Sequence, residues 1–336
     1  MVGTQTLVTG AFGAIGSAVI QSLVSKGQRP IALDVRSDAT LVNDVLGQID
    51  VEIADLRDAA ALRRIFEGRQ IDRVIHLAAV LGHGAQEDPP LAVAVNIQGT
   101  VSICELALEH SVDRVVFAST KGVYRRVEGE YAHPQFKPLG EDYPIGPQRV
   151  YDTTKYAAEQ LGLNFSRTRG LDFVALRFAA TYGPGRMARH GSMAVRSAIV
   201  ENAFHGVPMK VPGGGDQQDD FVYTKDAAQA LVKAADADGL SDRVFNIGTG
   251  RPATLSQAAE VVLRYLPNAE IEIGPGLDYG TGTGRYCIFD ISRARQQLGY
   301  EPEYDLERGI GDHLSTLERL QATSDADPMR EARERP

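Results

Sequence analysis

The sequence predicts an α/β fold: a Rossmann doubly wound parallel sheet with a smaller C-terminal substrate-binding lobe. Three observations lead there. Short β-branched runs alternate with longer amphipathic ones along the chain, the pattern of successive βαβ units. An apolar run at Thr6–Thr9 ends in three spaced glycines, Gly10, Gly13 and Gly16. The next β-branched run, Pro30 to Val35, carries Asp34 at its C-terminal end.

The first run reads as a strand, a tight turn and a helix continuing through Ser17, Val19, Ile20 and Leu23. One glycine permits the sharp turn, one lets a pyrophosphate approach the main chain, and one lets helix and strand pack closely. The helix N-terminus offers free N–H groups and the positive end of its dipole to phosphates. Gly10, Phe12, Gly13, Ala14, Ile15 and Gly16 are therefore expected to bind a dinucleotide. Their spacing, Gly-x-x-Gly-x-x-Gly, departs from the general Gly-x-Gly-x-x-Gly, so the surrounding residues have to carry the reading.

Asp34 stands where an acid accepts hydrogen bonds from an adenosine ribose and repels a 2′-phosphate, which points to NAD rather than NADP. Arg36, two residues on, is the kind of side chain that accommodates the extra phosphate, so NADP remains the weaker alternative. A third strand at Val51–Ala54 runs into Asp55 and Leu56, with a helix over 58–67. Asp55 lies either beside the adenine or in the helix N-cap. The fourth strand, Arg73 to Leu77, leads to Ala78 and Ala79, small enough for close approach to a cofactor, and its His76 reads as a packed strand-end histidine. A helix over 90–109 carries Asn96, and a fifth strand over 113–118 ends at Ser119-Thr120-Lys121. All these strand ends fall on one side of the sheet, where open α/β folds bind ligands.

Tyr151 and Lys155 are four apart in a helical stretch continued by Ala158, Gly162 and Phe165, so phenol and ammonium share a face. A free phenol, with a pKa of about 10, is a poor base at neutral pH. An adjacent ammonium and an oxidised nicotinamide both favour the phenolate. Tyr151 then takes the proton of a substrate hydroxyl as its hydride leaves, and returns it in reverse, while Thr120 holds the same hydroxyl.

Bulk composition narrows the partners. The 336 residues are 43% hydrophobic and 24% charged, an ordinary globular balance. A net charge of −9 argues against nucleic acid, which needs clustered Lys and Arg. Cys104 and Cys287 have neither disulfide-framework nor metal-site spacing and are expected to be reduced and structural, and no metal is expected. No run of about 18 apolar residues is apparent, and the N-terminus enters a strand directly, so no membrane contact and a cytoplasmic location are expected.

With these residues assembled, the chain resembles an extended short-chain dehydrogenase/reductase of the NAD-dependent epimerase/dehydratase family over roughly residues 3–320. The likeness also includes His76-Leu-Ala-Ala79, Arg177-Phe178, Tyr182-Gly-Pro-Gly185, Asp220-Phe-Val-Tyr223 with Asp226, and Phe245-Asn-Ile-Gly248. It implies bound NAD, with Leu56, Leu77, Ala78, Ala79, Asn96, Ser119, Tyr151, Lys155 and Phe178 joining the glycine turn, Asp34 and Asp55 around it. It further implies Thr120, Tyr151 and Lys155 as the catalytic set, Lys155 also binding the nicotinamide ribose, and a homodimer through the Asn96 and Tyr151 helices.

Departures from the family pattern bear on the substrate. Relatives acting on nucleotide sugars carry asparagine and arginine where this chain has Ala180 and Asp219, and an Arg-Pro-Gly-Asp segment where it has Tyr279-Gly-Thr-Gly-Thr-Gly284. A carboxylate repels a diphosphate, and losing arginine removes a bidentate donor. The acid-base pair that dehydratases place after the catalytic threonine is replaced by Lys121-Gly122. A small polar non-nucleotide substrate is expected, such as a sugar, sugar acid or hydroxy or amino acid, with a sugar or nucleotide-sugar epimerase as the alternative. Arg186, Arg189 and His190 either clamp its carboxylate, phosphate or hydroxyls or form a solvated basic loop, and His83, Lys121 and Arg125 are further rim residues.

The expected division is an NAD-binding domain over 1–178, to which 215–250 return, a substrate lobe over 179–214 and 251–320, and a disordered tail over 324–336. The proline-containing stretch 125–149 and the glycine-rich stretch 274–284 read as mobile loops able to close over a substrate.

Overall fold

The computed structural model describes residues 5–187, 194–280 and 284–325. Seven parallel strands form the main sheet: β1 (Thr6–Thr9), β2 (Ile31–Asp34), β3 (Asp50–Ile53), β4 (Arg73–His76), β5 (Arg114–Thr120), β6 (Phe173–Phe178) and β10 (Val244–Ile247). Their spatial order is β10-β6-β5-β4-β1-β2-β3, so the order reverses between β1 and β4. Leu7 pairs with Ile31 on one side and Val74 on the other. The central strands are buried on both faces, which is why they read as continuous apolar runs rather than alternating ones.

Helices cover both faces. On one lie α1 (Ala14–Ser25), α8 (Thr224–Asp236) and α10 (Ser292–Leu298), packing Val19, Ile20, Leu23, Ala230, Leu231 and Leu298 onto the sheet. On the other lie α2 (Ala59–Glu67), α5 (Gly99–Glu109) and α6 (Val150–Arg169), contributing Leu62, Phe66, Ile103, Ala107 and Ala158. Asp58 caps α2 by accepting from the Ala61 N–H. Asp55 is therefore not that helix's cap.

The helix expected over 90–109 is interrupted. After α3 (Gly82–Glu87), a short α4 (Pro89–Ala92) passes through a π-helical turn, Val93–Gln98, before α5. The π turn carries Asn96 inward, and single π turns of this kind occur often at functional sites. The whole helical run Pro89–Glu109 is long and apolar enough by composition to cross a bilayer, contrary to the sequence expectation, with a mean hydropathy of 1.6 in its most apolar window. Ala92, Asn96, Thr100, Ile103 and Ala107 are buried in the chain itself.

A third core lies beyond the strand ends. β7 (Ala180–Tyr182), β9 (Asp219–Tyr223) and β11 (Pro252–Ala253) form a three-stranded sheet, and β8 (Met209–Val211) pairs with β12 (Ile271–Ile273). Around them pack α7 (Val195–Phe204), α9 (Leu255–Tyr265) and α11 (Leu306–Asp325), burying Ile199, Val200, Leu255, Val262, Ile310 and Leu314.

The stretch 125–149 is packed rather than loose. Val127, Phe136, Leu139 and Tyr143 are buried, and the Leu139 N–H donates to the Ile288 carbonyl at 2.8 Å while the Asp290 N–H donates to Leu139 at 2.9 Å. This strap ties the β5 end to the last segment before α10. Of the other expected loop, residues 281–283 lie outside the described residues, as do Arg189 and His190. Helix α11 extends through Asp325, and the rest of the expected tail is likewise outside them.

Candidate active site

The glycine turn has the geometry its spacing requires. Gly10 sits at φ +67°, a left-handed conformation glycine adopts without steric cost, and a Cβ there would meet the Ala78 nitrogen at 2.9 Å. A Cβ on Gly16 would lie 2.1 Å from the Gly10 carbonyl oxygen, so this glycine is what lets α1 start directly beneath the turn. The turn is closed by the Gly13 N–H donating to Gly10 at 3.0 Å, and Gly13 caps α1 through its backbone alone. Phe12 is buried away from the surface and contributes its N–H, which donates to Asp34 at 3.0 Å.

A continuous cleft runs over this turn, with Gly10, Gly13, Ala14, Leu77, Ala79 and Leu81 lining both its halves. The outer half, of about 510 Å³, is lined by Asp34, Arg36, Asp55, Leu56, Ala78 and Val95. Asp34 is 8% exposed, and its second oxygen accepts from the Arg36 N–H at 3.2 Å, so the carboxylate is aimed by two backbone amides. Asp55 is gripped by the Arg57 guanidinium, at 2.7 Å for the shortest contact, which holds its carboxyl below the usual range. An adenosine ribose beside Asp34 and a pyrophosphate over the glycine turn fit these donors and acceptors, so the protein's own groups match NAD.

The inner half, of about 290 Å³, gathers Ile15, Gly16, His83, Ser119, Thr120, Lys121, Tyr151, Lys155, Phe178, Ala180 and Arg186. Helix α6 delivers Tyr151 and Lys155. The Asp152 carboxylate braces its start by accepting from the Arg149 N–H at 3.4 Å, and Gly170 at φ +76° ends it. Tyr151 lies in its first turn, half-buried, and lines the same half of the cleft as Thr120 at the end of β5. The Thr120 hydroxyl accepts from the Gly122 N–H at 3.0 Å and retains its own proton to donate.

The electrostatics differ from expectation at one point. The Lys155 ammonium leans over the Phe117 ring, 3.8 Å from its centroid, and the charges acting on the Tyr151 phenol are those of Asp152 and Arg186. Burial pushes the phenol up to about 12, with Asp152 adding and Arg186 opposing, and pulls the lysine down to about 7. The protein's own charges therefore do not yield the lowered phenol that the Tyr151 and Lys155 spacing predicts.

Several family positions turn out to brace the site rather than face it. Asn96 is buried, outside the cleft lining: its oxygen accepts from Val80 at 2.7 Å, and its amide donates to the Val80 carbonyl at 3.0 Å and the Thr154 hydroxyl at 2.9 Å. Thr154 in turn donates to the Tyr151 carbonyl at 2.9 Å. The Ser119 hydroxyl lines the cleft but donates to Glu159 at 2.6 Å. Glu159, buried four residues after Lys155, forms an ion pair at 2.6 Å with Arg177 of β6. Its repeat of the Tyr151 and Lys155 spacing is a sequence signal that goes unread in the motif alone. His76 is fully buried between the Thr9 and Thr100 hydroxyls, and burial lowers it to about 3, so it is neutral.

On the substrate side, Lys121 and Asp219 are joined: both carboxylate oxygens accept from the ammonium at 2.6 Å. Asp219 is 1% exposed and lies behind the cleft wall. Arg186 lines the cleft, and burial together with Arg196 lowers its guanidinium to about 10. His83 is at the rim, exposed, 3.1 Å from Glu87. Arg125 lines a separate surface hollow with Glu128, Tyr131 and Tyr143. Arg196 and Thr181 also line the inner half and escape sequence reasoning. Arg196's one signal is being the single charged side chain in Ala194–Val200.

Fold and site together define a nicotinamide-dinucleotide enzyme of the extended short-chain dehydrogenase/reductase type, with NAD as its cofactor. The model of the NAD dependent epimerase/dehydratase family matches residues 6–248, and the chain belongs to that family. It is 31% identical over 316 residues to a UDP-glucuronate 4-epimerase of Thermodesulfobacterium geofontis, covering 90% of this chain and 93% of the relative. Among solved structures, UDP-glucose 4-epimerase of Thermotoga maritima with UDP-glucose superposes with a TM-score of 0.83 at 27% identity, over 95% of this chain and all of that one. The Thermus thermophilus UDP-glucose 4-epimerase in complex with NAD gives 0.79 at 27% identity, over 94% and 99%.

Proposed function

We propose that the chain moves a hydride between NAD and a secondary carbinol of a small polar substrate, with Tyr151 as general base. The observation that carries this reading is that Thr120, Tyr151 and Lys155 line the same cleft as the glycine turn. Bound NAD supplies the hydride acceptor and, when oxidised, a positive charge. Thr120 donates to or accepts from the carbinol oxygen and fixes its position. Tyr151 takes the carbinol proton and returns it in the reverse direction, and the positive charge of Arg186 favours the phenolate this requires. Lys155 lines the same cleft and in this reading holds a ribose hydroxyl, with Phe178 and Ala180 keeping water from the reacting carbon.

Epimerisation is the second reading, favoured by the 4-epimerase relatives. It uses the same residues, returns the hydride to the opposite face of the same carbon and retains its NAD. Against a nucleotide sugar stands the absence of a guanidinium at position 219, where Asp219 is instead buried behind the cleft wall and paired with Lys121. Incubation with NAD and a panel of polyols, sugar acids and nucleotide sugars, followed by NADH absorbance and product analysis, separates the two. Net NADH supports the dehydrogenase; inverted product without net NADH supports the epimerase. Tyr151→Phe is expected to lower turnover by about 10²–10⁴ while NAD affinity is kept, and an unchanged rate would refute its assignment.

A second copy is proposed to pack on α5 and α6. The apolar run Pro89–Glu109 leaves Val93 48% exposed and α6 leaves Leu161 38% exposed, both on helices that pack together. The cytoplasm is proposed on the two free, buried thiols Cys104 and Cys287, which suit a reducing compartment.

A further inference from the structure

The proposed general base is followed directly in the chain by a carboxylate. Tyr151 lines the cleft, whereas Asp152 is 6% exposed and stands outside the lining. A negative charge next to a phenol disfavours the phenolate, and more strongly in a weakly screened interior than in water. Of the charges acting on Tyr151, that of Asp152 is the largest. The fold nevertheless reserves a place for it. A Cβ on Gly122 would lie 2.1 Å from the Asp152 Oδ1, so glycine is what lets the carboxylate sit against the turn after Thr120, and the Gly122 N–H is the one that donates to the Thr120 hydroxyl. The counter-charge enters from 133 residues further along the chain. Arg285, 3% exposed, donates through Nη1 to the Asp152 Oδ2 at 2.7 Å, through Nε to the Tyr124 carbonyl at 2.7 Å and through Nη2 to the Gly146 carbonyl at 3.2 Å. With all three nitrogens engaged, the fork is fixed on the carboxylate. Burial raises the Asp152 carboxyl, and Arg285 is the foremost charge opposing that, ahead of Arg149.

We propose that Arg285 is a positioning residue for the general base: it holds the Asp152 carboxylate against the turn behind the cleft and offsets its charge, so that Tyr151 can give up its proton. This rests on Tyr151 being that base. Arg285 lines neither half of the cleft, so it acts through Asp152. The other charged groups of the inner half come from several elements. Lys155 of α6 leans over Phe117, Lys121 is closed on Asp219, and Arg186 opposes Asp152 at the phenol. Arg196 of α7 is bonded to the Tyr279 hydroxyl, and His83 of α3 stands beside Glu87 at the rim.

The test uses the full chain with saturating oxidised NAD and reads the phenol directly. Tyrosine labelled with carbon-13 at Cζ is titrated by NMR from about pH 7 to about pH 11, the Tyr151 signal being the one missing in Tyr151→Phe. Asp152→Asn keeps the shape and removes the charge, and is expected to lower the pH of ionisation by about half a pH unit or more, roughly threefold in proton affinity. Arg285→Gln is expected to raise it by a similar amount, with Arg285→Lys in between; the Lys variant carries the comparison if the Gln variant does not fold. In the double variant the substitution at Arg285 has nothing left to act through, so its midpoint matches that of Asp152→Asn. The opposite signs set this apart from a structural role, since a brace lost from either side would move both variants the same way. Shifts of one sign, an Asp152→Asn phenol that ionises no earlier than the wild type, or a double variant that keeps the full Arg285 shift overturns the proposal. Unmoved midpoints with an inactive Tyr151→Phe overturn the pairing and leave that base standing, whereas midpoints that move as expected while Tyr151→Phe keeps full turnover remove the general-base reading alone.

Discussion

At the scale of single residues, two charges decide the chemistry. Asp34 is held by the Phe12 and Arg36 amides at the end of β2, where a 2′-phosphate would meet it. Asp34→Ala is expected to weaken NAD by about tenfold and to bring NADP to comparable or better use, because Arg36 lines the same half of the cleft; Michaelis constants for both cofactors check this. Lys155 carries the opposite lesson. Its folded value, about 7 against 10.5, means that the folded state binds the proton less tightly than the unfolded chain. The cost of the buried ammonium is complete below about pH 7, shrinks as pH rises and vanishes above 10.5. Lys155→Met should therefore stabilise the cofactor-free protein by roughly 2–4 kcal/mol below pH 7 and by much less at pH 10, while abolishing turnover. Urea unfolding at the two pH values gives the comparison, and equal shifts would contradict the burial argument.

At the scale of elements, α6 works as a keyed bar. Its N-terminus is locked by Arg285, 3% exposed, which donates to Asp152 at 2.7 Å and to the Tyr124 and Gly146 carbonyls at 2.7 and 3.2 Å. Its middle is locked by Glu159 on Arg177, which also reaches the Tyr124 hydroxyl at 3.1 Å and the Glu141 carbonyl at 3.1 Å. Tyr151 and Lys155 lie between the two locks. Removing one partner of such a buried pair costs about 3–5 kcal/mol because the other charge is stranded. Arg177→Met is expected to destabilise by that amount in urea unfolding, and adding Glu159→Gln should recover part of it. Full additivity of the two would show that they do not act as a pair.

At the scale of the whole molecule, the large sheet and the lobe meet along the cleft. Strand β6 ends at Phe178 in the sheet and β7 starts at Ala180 in the lobe, so both halves contribute wall residues within three positions. If a second copy packs on α5 and α6 as proposed, the wild type sediments as two chains and Leu161→Glu, on α6, as one; an unchanged mass would refute that interface. Saturation with NAD to about one hundred times its dissociation constant should add about 2.7 kcal/mol to the unfolding free energy.

The cofactor half of the site was legible from the chain alone because its requirements are local. A glycine at φ +67° and an acid at a strand end are set by backbone geometry within one βαβ unit, and Tyr151 and Lys155 share a helix turn. Residue types at short spacing are enough to read such features. The substrate half was not legible, because it is assembled from side chains far apart in sequence. Asp219 reads in the chain as a carboxylate offered to the substrate, yet in the fold both its oxygens accept from Lys121, while Arg196 enters from a helix with no motif around it. Asn96 and Ser119 carry family-pattern residues, but the fold directs their polar atoms to Val80, Thr154 and Glu159. Local sequence determined where a dinucleotide would lie. Only the long-range pairing of buried charges decided how the substrate side is arranged, Asp219 on Lys121 and Glu159 on Arg177, since that pairing depends on which acid reaches which base.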